Sequence, residues 1–559
     1  MQKPKTTFMM NIRTILLVTY AFAIGATSAW GKVVRSDVVP QEKGTHCIFT
    51  EGVRYSELVI NARQNDFKAN TTAAGFGVFD AMGHMTAAPT GTKSNLDYVP
   101  GLVAKAIMEA ADYYRGSGVV DVRPWFYAVQ HYGNSLDISS NGKDGKSFDD
   151  LNAVKLYFKL YELASDNVFP DGAQHTNAVT AETAKARFEA ALQGICKANS
   201  TYVIKASTLE GAAGGWWHKS GYVNQMWCDG QYMGPALLSQ LLNEYSDYTP
   251  ISDDDWALVA RQFTIAWKYL WDDFAHLLYH AFTADPANTF GWAGISAVKG
   301  AEVYHSQEFW GRAEAWYFLG LVDVLEQMQK AGRTATDDYI TLRDMLRQLA
   351  SGIAAKQDAM SGCWYQLLNH DSSFIATNYD RSYRYTDGPV ANYIESSCTA
   401  IFTAAYLKGM RLGLFDTDYT DVAKRAYRGF VEHFMVADGD GGVHLIGCCK
   451  SAGLGGSSYR DGSAAYYLMG RDTQPTVDDP SSSSFYTEGK VLGGFILAAT
   501  EYERRFMDGN ETQVEAIQNA KNPESSACYD IYGRHITTPI HNIYLVNGKK
   551  YVSKTHAVK

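Results

Sequence analysis

Apolar residues recur at helical spacing through most of this chain. Between residues 99 and 114 they fall at Leu102, Val103, Ile107, Ala110, Ala111 and Tyr114, the period of a helix that buries one side. The same spacing predicts helices over 151–163, 181–195, 234–245, 254–274, 312–328, 337–354, 398–412, 419–434 and 491–506. Most begin at Asp, Ser or Thr, whose side chains cap free helical N–H groups, and Gly- or aromatic-rich loops separate them. Around a dozen helices with few convincing strands point to one large all-α domain. Helices paired in this way close into a double ring or stack as an open solenoid, and no fixed repeat period supports the solenoid.

Both ends depart from this pattern. Lys3, Lys5 and Arg13 precede an apolar run from Ile15 to Ile24, and small residues follow from Gly25 to Ala29. This is the layout of a secretory signal peptide over residues 1–31, cut between Ala29 and Lys32, with an apolar part too short to span a bilayer. No Cys follows closely, so no lipoprotein anchor is expected. The chain therefore reads as exported, to the periplasm, the cell surface or the medium. The helical domain is assigned to 32–515. Residues 520–559 alternate apolar and polar positions around Asn547-Gly548, a hairpin signal, and predict a short β tail. That tail resembles the C-terminal ends of exported proteins from Bacteroides-like bacteria.

Composition narrows the function. The chain has 559 residues and a net charge of −10, which argues against nucleic acid, whose partners carry basic stripes. Aromatic residues make up 13%, with 12 Trp and 36 Tyr, suited to cores and to sugar-binding clefts alike. Eight Cys allow four disulfides in an exported protein, although a chain of this length needs none to fold. Their spacing holds no CxxC pair and predicts no metal site. The adjacent Cys448-Cys449 has no explanation at this level. HExxH, P-loop, GxSxG and GxGxxG signatures are absent, and the Gly453–Ser458 stretch follows no plain strand. Carboxylate acid–base chemistry and aromatic contacts to carbohydrate remain.

The densest segment runs from Gly214 to Gly230 and holds Trp216, Trp217, His218, Lys219, Trp227 and Asp229 in a loop that leads into a helix. Asp229 and Asp149 each stand where a carboxylate serves either chemistry or a helix N-cap. Here a family resemblance enters. NQMWCDGQYMGPALL at 224–238 resembles the signature of the unsaturated rhamnogalacturonyl hydrolases, glycoside hydrolase family 105, and of the related family 88. DYVPGL (97–102), DDLNAVKLYFKLYE (149–162), LLYHAF (277–282), FWGRAEAWYFLGLVDVLE (309–326), CWYQLLN (363–369), NYIESSCTAIF (392–402) and AGLGGSSYRDGSAAYYL (452–468) agree in the same order.

The resemblance implies an (α/α)6 barrel and removal of a terminal 4,5-unsaturated uronic acid from oligosaccharides made by polysaccharide lyases, with unsaturated galacturonyl-rhamnose as the default. An acid protonates C4, water adds at C5, and the hemiketal opens and expels the neighbouring sugar, with no metal or cofactor. Asp229 matches the acid/base position and Asp149 the second aspartate, with Asp150 as the alternative in the same doublet. A charged Asp149 is expected to raise the pKa of Asp229 against the pull of the helix N-terminus. Arg312 matches a residue that holds the uronate carboxylate, and Tyr98, Lys219, Trp227, His280, Trp310 and Trp316 match other substrate-binding positions. Glu314 departs from the family pattern and is expected to narrow the site or pair with Arg312. Residues 169–180 and 283–306 read as extra loops at the barrel mouth. A lyase or a non-catalytic glycan-binding protein on the same barrel are the competing readings.

Overall fold

The computed structural model describes residues 38–91, 96–166, 178–245, 247–252, 254–286, 291–293 and 304–507, with four short strands between 528 and 552. The signal peptide and most of the two extra loops fall outside these residues. The chain divides into two compact units, Met1–Glu503 and Arg504–Lys559.

In the first unit, helices of the described residues alternate between an outer and an inner ring. The outer members are α1 (Tyr55–Arg63), α3 (Arg123–Asn134), α6 (Ala181–Thr201), α9 (Asp255–Leu270), α11 (Asp337–Ala355) and α13 (Thr420–Phe434). Between them lie the inner members. These are α2 (Tyr98–Tyr114), then α4 (Phe148–Asn152) continued through a 3-10 turn into α5 (Leu156–Asp166), and α7 (Cys228–Met233) with α8 (Pro235–Glu244). The inner ring is completed by α10 (Gly311–Lys330), α12 (Ser396–Arg411) and α14 (Gly489–Phe506). Each inner helix packs on the next, and α14 closes the ring between α12 and α2. The fold is an (α/α)6 barrel.

Burial explains which helix went where. In α10 every residue from Gly311 to Leu325 is buried, as an inner helix with neighbours on all sides requires. In α11 only a stripe is buried, including Tyr339, Leu342, Leu346, Leu349 and Ile353, the amphipathic pattern of an outer helix. Inner helices approach closely at glycine: a β-carbon on Gly101 would lie 2.4 Å from the Ala153 β-carbon.

The sequence reading overshot at 254–274. The helix stops at Leu270 because Trp271–Asp272 turns extended and pairs with Leu277–Leu278. The Asp272 carboxylate accepts the Phe274 and Ala275 N–H groups and stabilises that tight turn. Two outer helices, α1 and α3, were not predicted. The first is short, and the second mixes aromatics with Gly133 and Asn134, weak helix formers whose conformation comes from packing. Seven of the eight cysteines, Cys47, Cys196, Cys228, Cys363, Cys398, Cys448 and Cys449, are free thiols.

The second unit carries a four-stranded antiparallel sheet in the order His535–Ile536, Cys528–Tyr529, Ile543–Val546, Lys549–Val552. Val546 pairs with Lys549, the register expected for the hairpin at Asn547-Gly548.

In the first unit every inner helix begins at the same end of the barrel. That end therefore collects Tyr98, Asp149, Asp229, Arg312, Ser397 and Lys490. Six helix N-termini make its field favourable to anions.

Candidate active site

Two pairings build one wall of this end. Strand Gln225–Trp227 runs antiparallel to Ala281–Thr283 with Trp227 opposite Ala281, and the Cys228 N–H donates to the His280 carbonyl at 3.0 Å. This places His280 beside Asp229. Ser147 bridges to Lys219, and the Ser220 N–H donates to the Lys146 carbonyl at 2.8 Å. That contact brings the start of α4 against His218 and Lys219. Between the walls lies a cavity of about 230 Å³.

Of the nine residues proposed from sequence, Tyr98, Asp149, Lys219, Trp227, Asp229, Trp310 and Arg312 line this cavity. Asp150 turns away and accepts hydrogen bonds from Ser139 and Ser147, so Asp149 is the member of the doublet that faces it. Neither aspartate is a helix cap: no side-chain cap bond forms at the start of α4 or α7.

The two carboxylates differ in their company. Asp149 is engaged at both oxygens, by His218 Nε2 at 2.8 Å and by the Lys219 ammonium. Burial opposes its charge, but the Lys219 ammonium and the His218 contact win and hold the carboxyl well below the usual range. Asp229 makes no hydrogen bond to a described residue. Its buried Oδ2 faces His280 Nε2 at 3.4 Å without hydrogen-bond alignment, and both atoms lack partners. Burial pushes its pKa up, while His280, His218 and Arg312 pull it down, and the balance lies below the usual carboxylate value. This corrects the sequence expectation. Burial, His280, His218 and Arg312, rather than Asp149, set the balance at Asp229. Burial also holds His280 below the usual imidazole value, so where His280 is neutral its pull on Asp229 is lost.

Arg312 is almost fully buried, and among the described residues Nη1 alone makes its hydrogen bonds: to Ser397 Oγ at 3.2 Å, to Cys448 Sγ at 3.9 Å and to the Cys449 carbonyl. Glu395 lies 3.8 Å away. Nε and Nη2 make no hydrogen bond to a described residue. The Cys449 N–H in turn donates to Glu395 at 2.9 Å. The Cys449 backbone thus helps to aim the guanidinium. Trp310 packs beneath it, with its ring centroid 4.6 Å from the guanidinium carbon and its indole N–H bonded to Gln366.

Three expectations change. Trp316 does not reach the cavity; it is buried one helical turn further along α10 and stacks on Tyr232 at 4.9 Å. Glu314 neither narrows the site nor pairs with Arg312. It points into the protein with both side-chain oxygens unpartnered, and burial pushes its pKa well above the usual carboxylate value. His280 stands behind Asp229 rather than in the cavity, with Nδ1 2.7 Å from the Tyr467 hydroxyl.

The cavity also uses residues the sequence did not single out. His218 lay inside the quoted segment but carried no signal of its pairing with Asp149. Tyr222 stacks on Trp227 at 4.6 Å and 8°. Arg460, anchored by Asp472 at 2.8 Å, faces the cavity within a motif quoted whole. Asn70 comes from a hairpin far from any quoted motif. Among the described residues no group of three or more His, Cys, Asp or Glu side chains is arranged to hold a metal ion. No described helix is long and apolar enough to cross a membrane.

A closed double ring of helices thus carries, at one end, an aromatic cleft with one engaged and one idle carboxylate. Residues 78–506 match the family model described as Glycosyl Hydrolase Family 88, and the chain belongs to that family. It is similar to a family 105 glycoside hydrolase structure from C. acetobutylicum, with 26% identity over 73% of this chain and 94% of that one and a TM-score of 0.54. It is also similar to the 24.9 kDa protein in the picA locus of Rhizobium radiobacter, 32% identical over 43% of this chain and 88% of the relative. The resemblance to families 105 and 88 read from the motifs is borne out.

Proposed function

We propose that this hydrolase removes a terminal 4,5-unsaturated uronic acid from lyase-generated oligosaccharides, with unsaturated galacturonyl-rhamnose as the default substrate. The observation that carries the reading is Asp229: a largely buried carboxylate on the cavity, free of hydrogen bonds to described residues and near two imidazoles and the Arg312 guanidinium. A carboxylate kept so idle is available to move a proton.

In the proposed reaction the uronate carboxylate docks on the Nε and Nη2 edge of Arg312, a fork suited to two parallel bonds. Its arrival adds a negative charge and displaces water, and both changes raise the pKa of Asp229. Asp229 then donates its proton to C4 of the double bond. Positive charge develops at C5 and the ring oxygen, where six helix N-termini disfavour it and the ionised Asp149 offsets them. Water adds at C5 and returns a proton to Asp229. The hemiketal opens, the C1 centre expels the neighbouring sugar, and an open-chain keto acid leaves. Lys219 and His218 hold Asp149 ionised as an acceptor for a sugar hydroxyl, and the edges of Trp227 and Trp310 form the apolar wall.

We also infer export, from the charged, apolar and small-residue succession over residues 1–31; N-terminal sequencing of the protein from the cell exterior or periplasm should begin between residues 30 and 32.

A panel of lyase-generated disaccharides tests the reading through the ultraviolet absorbance of the C4=C5 enol ether. Loss of absorbance on at least one member is expected. A rise would identify a lyase, and an unchanged signal throughout would leave a binding protein.

A further inference from the structure

Asn70 stands at the turn of a hairpin formed by Phe67–Ala69 and Thr72–Ala74, ahead of the family-matched residues 78–506. We propose that this asparagine is a specificity-determining residue that donates a hydrogen bond from its side-chain amide to an oxygen of the bound uronide, an inference that rests on the functional reading above.

Three observations converge. Asn70 lines the same cavity as Asp229 and Arg312. Its backbone has φ +60°, the left-handed region that asparagine tolerates better than most residues. The fold holds it there with buried charge. The Asn70 N–H donates to Glu488 Oε1 at 2.8 Å, and the Lys490 ammonium donates to Asn70 Oδ1 at 3.0 Å. Lys490 and Glu488 pair with each other at 2.6 Å, and both are buried at the start of α14. The strand before the turn is tied to the same place, since the Lys68 N–H donates to the Thr487 carbonyl at 2.9 Å.

This arrangement settles the orientation of the amide. A lysine ammonium has three donors and no acceptor, so the side-chain atom facing Lys490 is the oxygen. The planar amide then directs its NH2 group away from Lys490. Nδ2 makes no hydrogen bond to a described residue. A donor on the cavity wall, fixed by an ion pair and a left-handed turn, is complementary to an acceptor oxygen, and a uronide offers its carboxylate and its ring hydroxyls. Loop residues positioned by a rigid scaffold are where a fold of this kind sets ligand preference.

Two substitutions separate this role from a structural one. Asn70→Gly keeps the left-handed backbone without strain and retains the N–H to Glu488, but deletes the amide. Asn70→Asp keeps an oxygen for Lys490 and replaces the donor by an acceptor. Both are measured for turnover of the unsaturated disaccharide, and for calorimetric affinity in an Asp229→Asn background. The expected result for Asn70→Gly is a KM about tenfold higher with kcat within about threefold of wild type, and a larger loss for Asn70→Asp. Comparing the uronide with an analogue that lacks the carboxyl group altogether then identifies the acceptor: the dependence on Asn70 disappears in that analogue if the carboxylate is bound, and persists if a hydroxyl is. Wild-type KM and affinity in either folded variant, with wild-type enzyme active, overturn the role of Asn70 alone. No turnover by wild type across the disaccharide panel overturns the functional reading, and this role with it.

Discussion

The two ends of the inner ring use the same helices and the same kinds of side chain to opposite effect. Towards the C-terminal halves of the inner helices, charge is closed on itself. Lys408 donates to Asp323 at 2.7 Å and to Glu326 at 2.8 Å, and Lys105 pairs with Glu109 at 2.5 Å. Lys155, pushed well below the usual lysine value by burial, donates to the Tyr232 carbonyl at 2.6 Å and lies over the Tyr232 ring. Burial works against Asp323, yet Lys408, Lys105 and Lys155 hold it ionised with a pKa of about 2. At the N-terminal end the Asp149 cluster is matched in the same way, but Asp229 Oδ2 and His280 Nε2 are left without partners, and one edge of Arg312 is uncommitted. Satisfied buried charge fixes a structure, and unsatisfied buried charge facing a cavity is available to a ligand.

Substitutions at the two ends should therefore fail in different ways. At the open end, Asp229→Asn should lower kcat by about 10²–10⁴ while the melting temperature stays within a degree or two of wild type, measured by turnover and calorimetry on the same sample. At the closed end, Lys408→Met removes the cation that bridges Asp323 and Glu326. It should cost about 3–5 kcal/mol of stability, read by denaturant unfolding, with kcat unchanged at a temperature where the variant is folded. Activity loss for Lys408→Met, or instability for Asp229→Asn, would dissolve the distinction.

A smaller effect comes from Glu503, buried near the C-terminal end of α14 and accepting from Ser56 and Tyr114. Burial raises its pKa from 4.5 to about 7. The folded state thus binds the proton more tightly than the unfolded chain, so this contribution is full below pH 4.5. It is lost as pH rises to 7, about 3 kcal/mol in all. Glu503→Gln should remove that part of the pH dependence, giving a flatter stability profile between pH 4.5 and 7 than wild type. The smallest effect expected is that of Arg312→Lys. It keeps the charge but not the fork, and should raise KM for uronides about tenfold; an unchanged KM would make Arg312 purely structural.

The helical period exposed four of the outer helices because each buries one stripe, length and apolar content marked the inner ones, and the motifs at the helix starts marked most of the cavity. Sequence could not show pairing across distance. The His218–Asp149 contact spans 69 residues and is brought together by the Ser147–Lys219 bridge, so the partners that hold Asp149 were out of sight in the sequence. Trp316 stands four residues from Arg312 in sequence, and one helical turn is enough to carry it from the cavity into the core. Glu314 looked like a partner for Arg312 because they are two residues apart, a spacing that puts side chains on different faces of a helix. Asn70 carried no signal at all, since its role comes from a hairpin pinned to Glu488 and Lys490 at the other end of the chain.

The central claim is that Asp229 drives hydration of the double bond, with release of the sugar as its consequence. Following the enol-ether absorbance and the free rhamnose together during turnover of unsaturated galacturonyl-rhamnose tests it directly. The account predicts that absorbance falls no later than rhamnose appears, mole for mole, and that Asp229→Asn slows both at least a hundredfold. Rhamnose released while the absorbance persists would contradict it, because the glycosidic bond would then break without hydration.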